Sequence, residues 1–160
     1  MNQIIFKSIG IIHSPFTKPE GMPIQPIAAK GIKGSIVVNE EYLDGLCDLD
    51  GFSHIYLLYH FHLSKSFHLK IKPFLDDQQR GVFSTRAPNR PNPIGLSVIK
   101  LLKIENNILQ IENVDIMDGT PLLDIKPYVH EMNAVKNQKI GWLTKHSKEM
   151  LTKKADKRFK

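Results

Sequence analysis

Short runs of apolar residues, separated by polar and turn-forming residues, recur along this 160-residue chain and predict a fold built mainly from strands. The run at 52–61 is long and apolar enough to be a strand buried on both faces. Residues 68–72 alternate polar and apolar side chains, as a half-exposed strand does. The other predicted strands cover residues 4–13, 34–38, 94–104, 108–111, 114–117 and 122–125.

Turn-forming residues lie between these runs and bring consecutive strands side by side. The Asn-Asn pair at 106–107 predicts an antiparallel hairpin, and Asp-Gly-Thr-Pro at 118–121 predicts a tight turn. Helical patterns are limited to a short turn of helix at 40–46 and one longer helix at 139–154. Because the chain has no alternation of strands and helices, it favours an all-β barrel or sandwich with a C-terminal helix.

Length and composition are those of an ordinary globular protein with a single domain. No apolar run reaches the roughly 18 residues that a membrane span needs, and the first ten residues lack the pattern of a secretory signal. Cys47 is the only cysteine, which excludes an intramolecular disulfide and fits a reducing compartment. We therefore expect a cytoplasmic protein.

Positive charge is concentrated at the C-terminal end of the chain. The net charge is +6, and residues 145–160 carry +5 of it, with seven Lys or Arg against two acidic residues. A basic tail on a nearly neutral body suits contact with phosphate groups. It suits a solvated terminal helix equally well, and the residues alone do not decide between the two.

The segment 85–97, TRAPNRPNPIGLS, is the most distinctive stretch of the sequence. Each of its three prolines fixes φ at about −65° and removes a backbone donor, so the segment is a stiff, extended ribbon. The ribbon holds Arg86 and Arg90 in set directions between two apolar runs. A rigid loop of this kind suits a binding site, although a proline-rich connection with solvated arginines fits its composition as well.

Histidines and turn residues are further candidates for chemistry. The four histidines at 54, 60, 62 and 68 come without the thiolates or the His-Glu-x-x-His pattern of a zinc site, so we expect barrel histidines and no metal. The chain has neither the Gly-x-Ser-x-Gly elbow of a serine nucleophile nor the Gly-x-Gly-x-x-Gly of a dinucleotide fold. The turn at 118–121, with Gln25 and Arg86, offers polar contacts to a ligand.

Seven segments of the chain together resemble the TsaA-like family, which includes the TrmO-type tRNA methyltransferases. The resemblance runs from about residue 9 to residue 128, and its last two segments are long and specific. The segments are IGIIHSPF at 9–16, PIQP at 23–26, LDGFSH at 49–54, FH at 61–62, GVFSTR at 81–86, RPNPIGLS at 90–97 and DIMDGTPLLDIKPY at 115–128.

The resemblance implies a single TsaA-like β-barrel domain, expected at 1–138, followed by a basic C-terminal helix or tail at 139–160. It implies S-adenosylmethionine as the methyl donor and a homodimer as the assembly. For TrmO-type members it implies a tRNA substrate, methylated on N6 of the N6-threonylcarbamoyladenosine next to the anticodon. Two alternatives stay open: a non-catalytic module that binds the cofactor or RNA, and a methyltransferase for another RNA or a small molecule.

Carried over motif by motif, the resemblance also implies a cofactor site. Arg86 would hold the methionine carboxylate in a bidentate pair, and Leu96 would form an apolar wall for the adenine. Ile24 stands where relatives often have arginine, and Leu63 stands where a polar residue can occur, so contacts at these two positions would come from backbone or apolar surface. The implied cofactor-binding residues are Pro23, Ile24, Gln25, His62, Leu63, Arg86, Leu96, Asp118, Gly119, Thr120 and Pro121.

The catalytic residues stay unknown at this level. Asp118 and His62 are the candidates for a weak base that removes the N6 proton. Many bacterial relatives continue into a second domain, so the basic tail from Lys145 is expected to substitute for tRNA contacts made there.

Overall fold

The computed structural model describes residues 3–146 and 148–157, without the side chain of Met150. Six strands close an antiparallel barrel in the order β1-β2-β7-β6-β3-β8, and β4 and β5 pair in a separate two-stranded sheet. The prediction of a mainly β, barrel-forming chain is therefore confirmed. The strands are β1 Gly10–His13, β2 Lys33–Val38, β3 His54–His60, β4 Lys70–Ile71, β5 Arg80–Gly81, β6 Ile94–Glu105, β7 Ile108–Glu112 and β8 Thr120–Pro127.

Helices are short and lie between or after the strands. Among the described residues the only α-helix is α1, His130–Asn133. None of the helices in the described ranges is long and apolar enough to cross a membrane. The 3₁₀ helices are Pro26–Ala29, Glu40–Leu46, Leu49–Gly51, Val82–Ser84, Gly141–Lys145 and Glu149–Leu151, the second of which confirms the helical turn predicted at 40–46.

The barrel encloses one aliphatic core because alternate residues of each strand point inward. On β3 the inward residues are Ile55, Leu57 and Tyr59, each of which is buried. Tyr56 and Leu58, between them, stay partly exposed. The strand therefore buries one face, and the prediction that it buries both was wrong. Each buried aliphatic side chain stabilises the fold by about 1.5–3 kcal/mol relative to an exposed one.

Three predicted strands differ from the structure. Residues 114–117 place Val114 and Ile116 in the core, but their backbone is irregular because Asn113, with φ of 70°, turns the chain out of β7. The strand predicted at 4–13 is restricted to β1, since pairing with β2 and β8 begins at Gly10. The strand predicted at 68–72 shrinks to β4, whose partner β5 has only two residues.

The C-terminal segment is not the continuous helix predicted at 139–154. Two 3₁₀ helices occupy that range because the segment is bound to barrel loops. The Trp142 indole Nε1 donates a hydrogen bond to the Ser84 carbonyl at 2.9 Å. Ala155 accepts a backbone hydrogen bond from Gly21 at 2.9 Å and donates one to Met22 at 2.7 Å. These tertiary contacts outweigh the weak helical preference of the local sequence.

Candidate functional site

A cleft of about 940 Å³ lies where the end of β3 and the start of β6 meet several loops. Its volume falls within the range of roughly 300–1,000 Å³ typical of small-molecule sites. The lining residues come from the ranges 19–26, 59–64, 73–75, 83–97 and 115–120 and from the C-terminal segment, which contributes Trp142, Leu143, Ala155 and Asp156. The ribbon predicted from its prolines thus forms one wall of the cleft.

Most of the residues that the sequence assigns to a cofactor site line this one cleft. They come from four separate parts of the chain, and β-strand pairing brings them together. Asp118, Gly119 and Pro121 are not among the lining residues. The predicted residues that line the cleft are Pro23, Ile24, Gln25, His62, Leu63, Arg86, Leu96 and Thr120.

The turn at 118–121 closes the barrel, and of its four residues Thr120 alone lines the cleft. Asp118 Oδ1 accepts a hydrogen bond from the Ser14 backbone N–H at 3.1 Å and lies 3.1 Å from His13 Nδ1. The Ser14 N–H bond and the neighbouring His13 lower the pKa of Asp118 from its ordinary value. Gly119, with φ of 73°, donates its N–H to the Ile12 carbonyl at 2.9 Å. Because these groups are engaged with β1, they tie β8 to β1.

His62 and Thr120 bridge the barrel and the cleft. Thr120 is the first residue of β8 and is buried, and its Oγ1 lies 3.5 Å from His62 Nδ1. This long contact links His62, on the cleft wall, to the start of β8. Within the described residues, no group of three or more His, Cys, Asp or Glu side chains is close enough to hold a metal ion.

The ribbon is anchored at both its apolar and its polar positions. Ala87 packs with Ile71 and Val82 in a small second core. The Arg90 guanidinium donates to the Thr85 carbonyl at 3.3 Å, so this arginine braces the ribbon from within. Arg86 is exposed at the cleft and makes no ion pair in the described part of the chain. Its guanidinium is therefore available to a ligand carboxylate or phosphate.

Asn89 adds a polar group that the sequence did not single out. Its side chain lines the cleft and is only 8% exposed, and its Oδ1 has no hydrogen-bond partner in the described structure. Buried polar atoms almost always have a partner, because leaving one unmet costs about 1–3 kcal/mol. A ligand N–H or O–H in the cleft would satisfy this oxygen.

A chain of three polar side chains crosses the inner wall of the cleft. Ser97 Oγ donates to Asp115 Oδ1 at 2.9 Å, and the Tyr59 hydroxyl lies 3.1 Å from Ser97 Oγ. Since the Ser97 proton is used on the carboxylate, the Tyr59 hydroxyl donates to Ser97. Tyr59 and Ser97 are 5% and 2% exposed, and all three residues line the cleft.

Burial shifts the pKa values of Asp115 and Tyr59, the two titratable residues of this hydrogen-bonded group. Removal from water raises the pKa of Asp115 to about 6, even though the Ser97 hydrogen bond and the Arg86 charge oppose the shift. Burial likewise raises the pKa of Tyr59 above its usual range, and the Asp115 charge adds to that shift. Tyr59 is therefore neutral at physiological pH, while Asp115 changes its charge close to neutrality.

The position of the Tyr59 ring depends on a glycine across the barrel wall. Tyr59 on β3 pairs with Gly95 on β6, and a Cβ on Gly95 would overlap the Tyr59 ring. Phe61 packs edge-on against the same ring, with centroids 5.4 Å apart. Ser97 is a polar residue at an inward position of β6, whose other buried residues are glycine or aliphatic, and this was the signal in the sequence that could have revealed these linked side chains.

Comparison with known proteins shows which family the chain belongs to. Residues 11–134 match the profile of the tRNA-methyltransferase O N-terminal domain. A probable S-adenosyl-L-methionine-binding protein of Pyrococcus abyssi is 51% identical over 98% of this chain and 85% of the relative. The human tRNA (adenine(37)-N6)-methyltransferase is 38% identical over 84% of this chain, which spans only 32% of that enzyme.

Solved structures lead to the same family. The crystal structure of TrmO from Pseudomonas aeruginosa superposes with a TM-score of 0.74 at 34% identity, and covers 88% of this chain. The match spans 63% of the Pseudomonas chain, so this chain is shorter than the solved TrmO. Profile, sequence and structure together establish that the chain belongs to the tRNA-methyltransferase O (TrmO) family.

Proposed function

We propose that this chain is a cytoplasmic, S-adenosylmethionine-dependent tRNA methyltransferase that acts on N6 of N6-threonylcarbamoyladenosine next to the anticodon. One observation carries the proposal: a cleft of cofactor size that is lined by apolar residues, by the exposed Arg86 and by Asn89. Within the described part of the chain, Arg86 makes no ion pair and Asn89 Oδ1 has no hydrogen-bond partner. The mammalian relatives named tRNA (adenine(37)-N6)-methyltransferase support the choice of reaction.

S-adenosylmethionine is the cofactor, since the archaeal relatives with 37–51% identity are named S-adenosyl-L-methionine-binding proteins. The residues of the cleft fit it. Arg86 would hold the carboxylate, Leu96 would cover apolar surface, and Asn89 Oδ1 would accept an N–H. When bound, the cofactor supplies an electrophilic methyl group. The chain positions the two reactants and excludes water, which accounts for much of the rate in a direct displacement.

The tRNA would approach over the C-terminal segment, and a homodimer would extend the surface available to it. Four lysines between residues 145 and 157 are exposed, and each can neutralise a phosphate. Arg158 and Lys160, which also contribute to the basic charge, lie outside the described residues. The exposed lysines are Lys145, Lys148, Lys154 and Lys157.

Methyl transfer to defined tRNAs tests the proposal. The protein would be incubated with labelled S-adenosylmethionine and with tRNA that carries or lacks the threonylcarbamoyl group. We expect label on N6 of the modified adenosine only, identified by mass spectrometry of the digested nucleosides. Label on another nucleoside, or on a small molecule, would redirect the assignment to a different methyltransferase.

A non-catalytic cofactor-binding module is the second candidate. It is favoured by the names of the archaeal relatives, which mention binding and no transfer. Binding of S-adenosylmethionine in calorimetry without transfer to any RNA would support this candidate and contradict the enzyme.

Removal of the C-terminal segment is expected to weaken both cofactor and tRNA binding. Truncation after residue 139 takes away Trp142, Leu143 and Ala155, which line the cleft, together with most of the basic charge. Cofactor affinity by calorimetry and tRNA affinity by filter binding should both fall at least fivefold.

A charge-neutralised variant is the matched control for the truncation. Changing Lys145, Lys148, Lys154 and Lys157 to glutamine keeps the hydrogen bonds of Trp142 and Ala155 but removes four cations. Cofactor affinity should then stay unchanged, while tRNA affinity falls. The salt dependence of tRNA binding should become shallower by about one unit of log–log slope for each phosphate that is no longer neutralised. An unchanged salt slope would exclude the segment as a tRNA-binding surface.

A further inference from the structure

Among the described residues, two acidic residues line the cleft, Asp115 and Asp156, and Asp115 is the less exposed of the two. It follows β7 in the irregular stretch before β8, and Ser97 is the only side chain in the described structure that donates to it. The hydrogen bond engages Oδ1, and Asp115 is among the residues that line the cleft. The Tyr59–Ser97 chain therefore fixes the orientation of a carboxylate beside the space that a ligand would fill.

Few charged groups act on this carboxylate. Arg86 attracts it from the ribbon, without an ion pair within 4.0 Å, and Tyr59 faces it from β3 as a neutral phenol. The other titratable groups of the cleft are His62 from the end of β3, Arg90 from the ribbon and Asp156 from the C-terminal segment.

We propose that Asp115 accepts the proton that the nucleophilic nitrogen loses during methyl transfer. The proposal rests on the proposed function. In the step, the nitrogen lone pair forms the bond to the methyl carbon, the electrons of the broken C–S bond stay on sulfur, and the N–H proton passes to a carboxylate oxygen of Asp115. The carboxylic acid then returns the proton to water.

The environment of Asp115 suits this role. A general base works best when its pKa lies near the operating pH, and burial moves the pKa of Asp115 to about 6. Asp118, by contrast, is outside the cleft, and its hydrogen bond from Ser14 lowers its pKa, which weakens it as a base. Ser97 is a positioning residue, because it acts through the carboxylate.

Asp115→Asn is the decisive variant, since the amide oxygen still accepts from Ser97 but cannot take up a proton. Single-turnover transfer to threonylcarbamoylated tRNA would be followed across the acid and neutral range. The wild-type rate should fall about tenfold per pH unit once the pH is below the pKa of about 6. In the variant the rate should be lower by about 100-fold or more and should lose this acid limb. Affinity for S-adenosylmethionine should stay within about twofold of wild type.

A second readout does not depend on activity. Folding raises the pKa of Asp115 from 3.8 to about 6. The stability that the protonated carboxyl group contributes is therefore fully present below pH 3.8 and is lost as the pH rises through about 6. The difference in urea midpoint between Asp115→Asn and wild type should therefore grow in favour of the variant as the pH rises from about 4 to about 7. A constant difference would contradict the environment on which the proposal depends.

The outcomes separate the two proposals. Transfer by wild type and Asp115→Asn at similar rates would overturn the role of Asp115 alone. Loss of cofactor affinity with an unchanged single-turnover rate would also overturn it, and would make Asp115 a counter-charge for the sulfonium. If wild type binds the cofactor but transfers nothing to any RNA, the proposed function fails and the proton acceptor with it.

Discussion

Replacing Arg86 with alanine is expected to lower the affinity for S-adenosylmethionine about 10- to 150-fold, the range that follows from losing a hydrogen bond to a charged group worth about 1.5–3 kcal/mol. The reason is that Arg86 is exposed at the cleft and makes no ion pair in the described part of the chain, so no salt bridge there competes with a ligand carboxylate. Titration calorimetry at fixed ionic strength measures the change. Arg86→Lys should fall between the two, because a lysine keeps the charge but not the planar fork.

Lys103→Ala is the matched control for the loss of one positive charge. Lys103 pairs with Glu105 on β6, and it is not among the residues that line the cleft. Its substitution should leave cofactor affinity unchanged. Equal affinities of Arg86→Ala and wild type would mean that Arg86 does not hold the carboxylate. A selective loss of tRNA affinity would assign Arg86 to phosphate instead.

Substituting alanine for Gly95 is expected to destabilise the fold by about 1–3 kcal/mol, the typical cost of overpacking a filled core. The new methyl group would overlap the buried Tyr59 ring, which also packs edge-on against Phe61. Displacement of the ring also breaks the hydrogen bond from the Tyr59 hydroxyl to Ser97. Urea unfolding followed by circular dichroism measures the change in the free energy of unfolding.

Two controls make the Gly95 result specific. A Cβ added at Gly81 would have no atom within 4 Å, and the backbone there is ordinary and extended, so Gly81→Ala should change stability by less than about 0.5 kcal/mol. In a Tyr59→Ala background, Gly95→Ala should cost much less than in wild type, because the overlapping ring is gone. An equal cost in both backgrounds would show that the clash with Tyr59 is not its source.

Local sequence predicted the barrel strands well where apolar runs end in clear turns. The hairpin around 106–107 forms as expected, with Glu105 opposite Ile108. The burial of β3 was overestimated because its outward residues, Tyr56 and Leu58, are themselves apolar and hide the alternation. The C-terminal segment was mistaken for a helix because its contacts to the loop at 21–23 are far away in sequence.

The site was predictable only in part for the same reason. The resemblance supplied Arg86, Leu96 and the PIQP motif, and the structure brings them to one cleft. Tyr59 and Asp115 gave no local signal of a shared role. Both are linked through Ser97 on β6. The register of β3 against β6 sets Tyr59 opposite Gly95, two residues from Ser97, and Asp115 follows β7, the other neighbour of β6. Both contacts depend on strand pairing between residues that are not local in sequence.

The pairing of Lys154 with Pro23 has a consequence for how the protein is made. A ribosome adds about 5–20 residues per second. The roughly 130 residues from Pro23 to Lys154 therefore emerge over ~7–26 s. The last barrel strand ends at Pro127, well before Ala155 reaches its place beside Met22. A nascent chain can thus close its barrel while its cleft is still incomplete, so cofactor capture follows barrel closure.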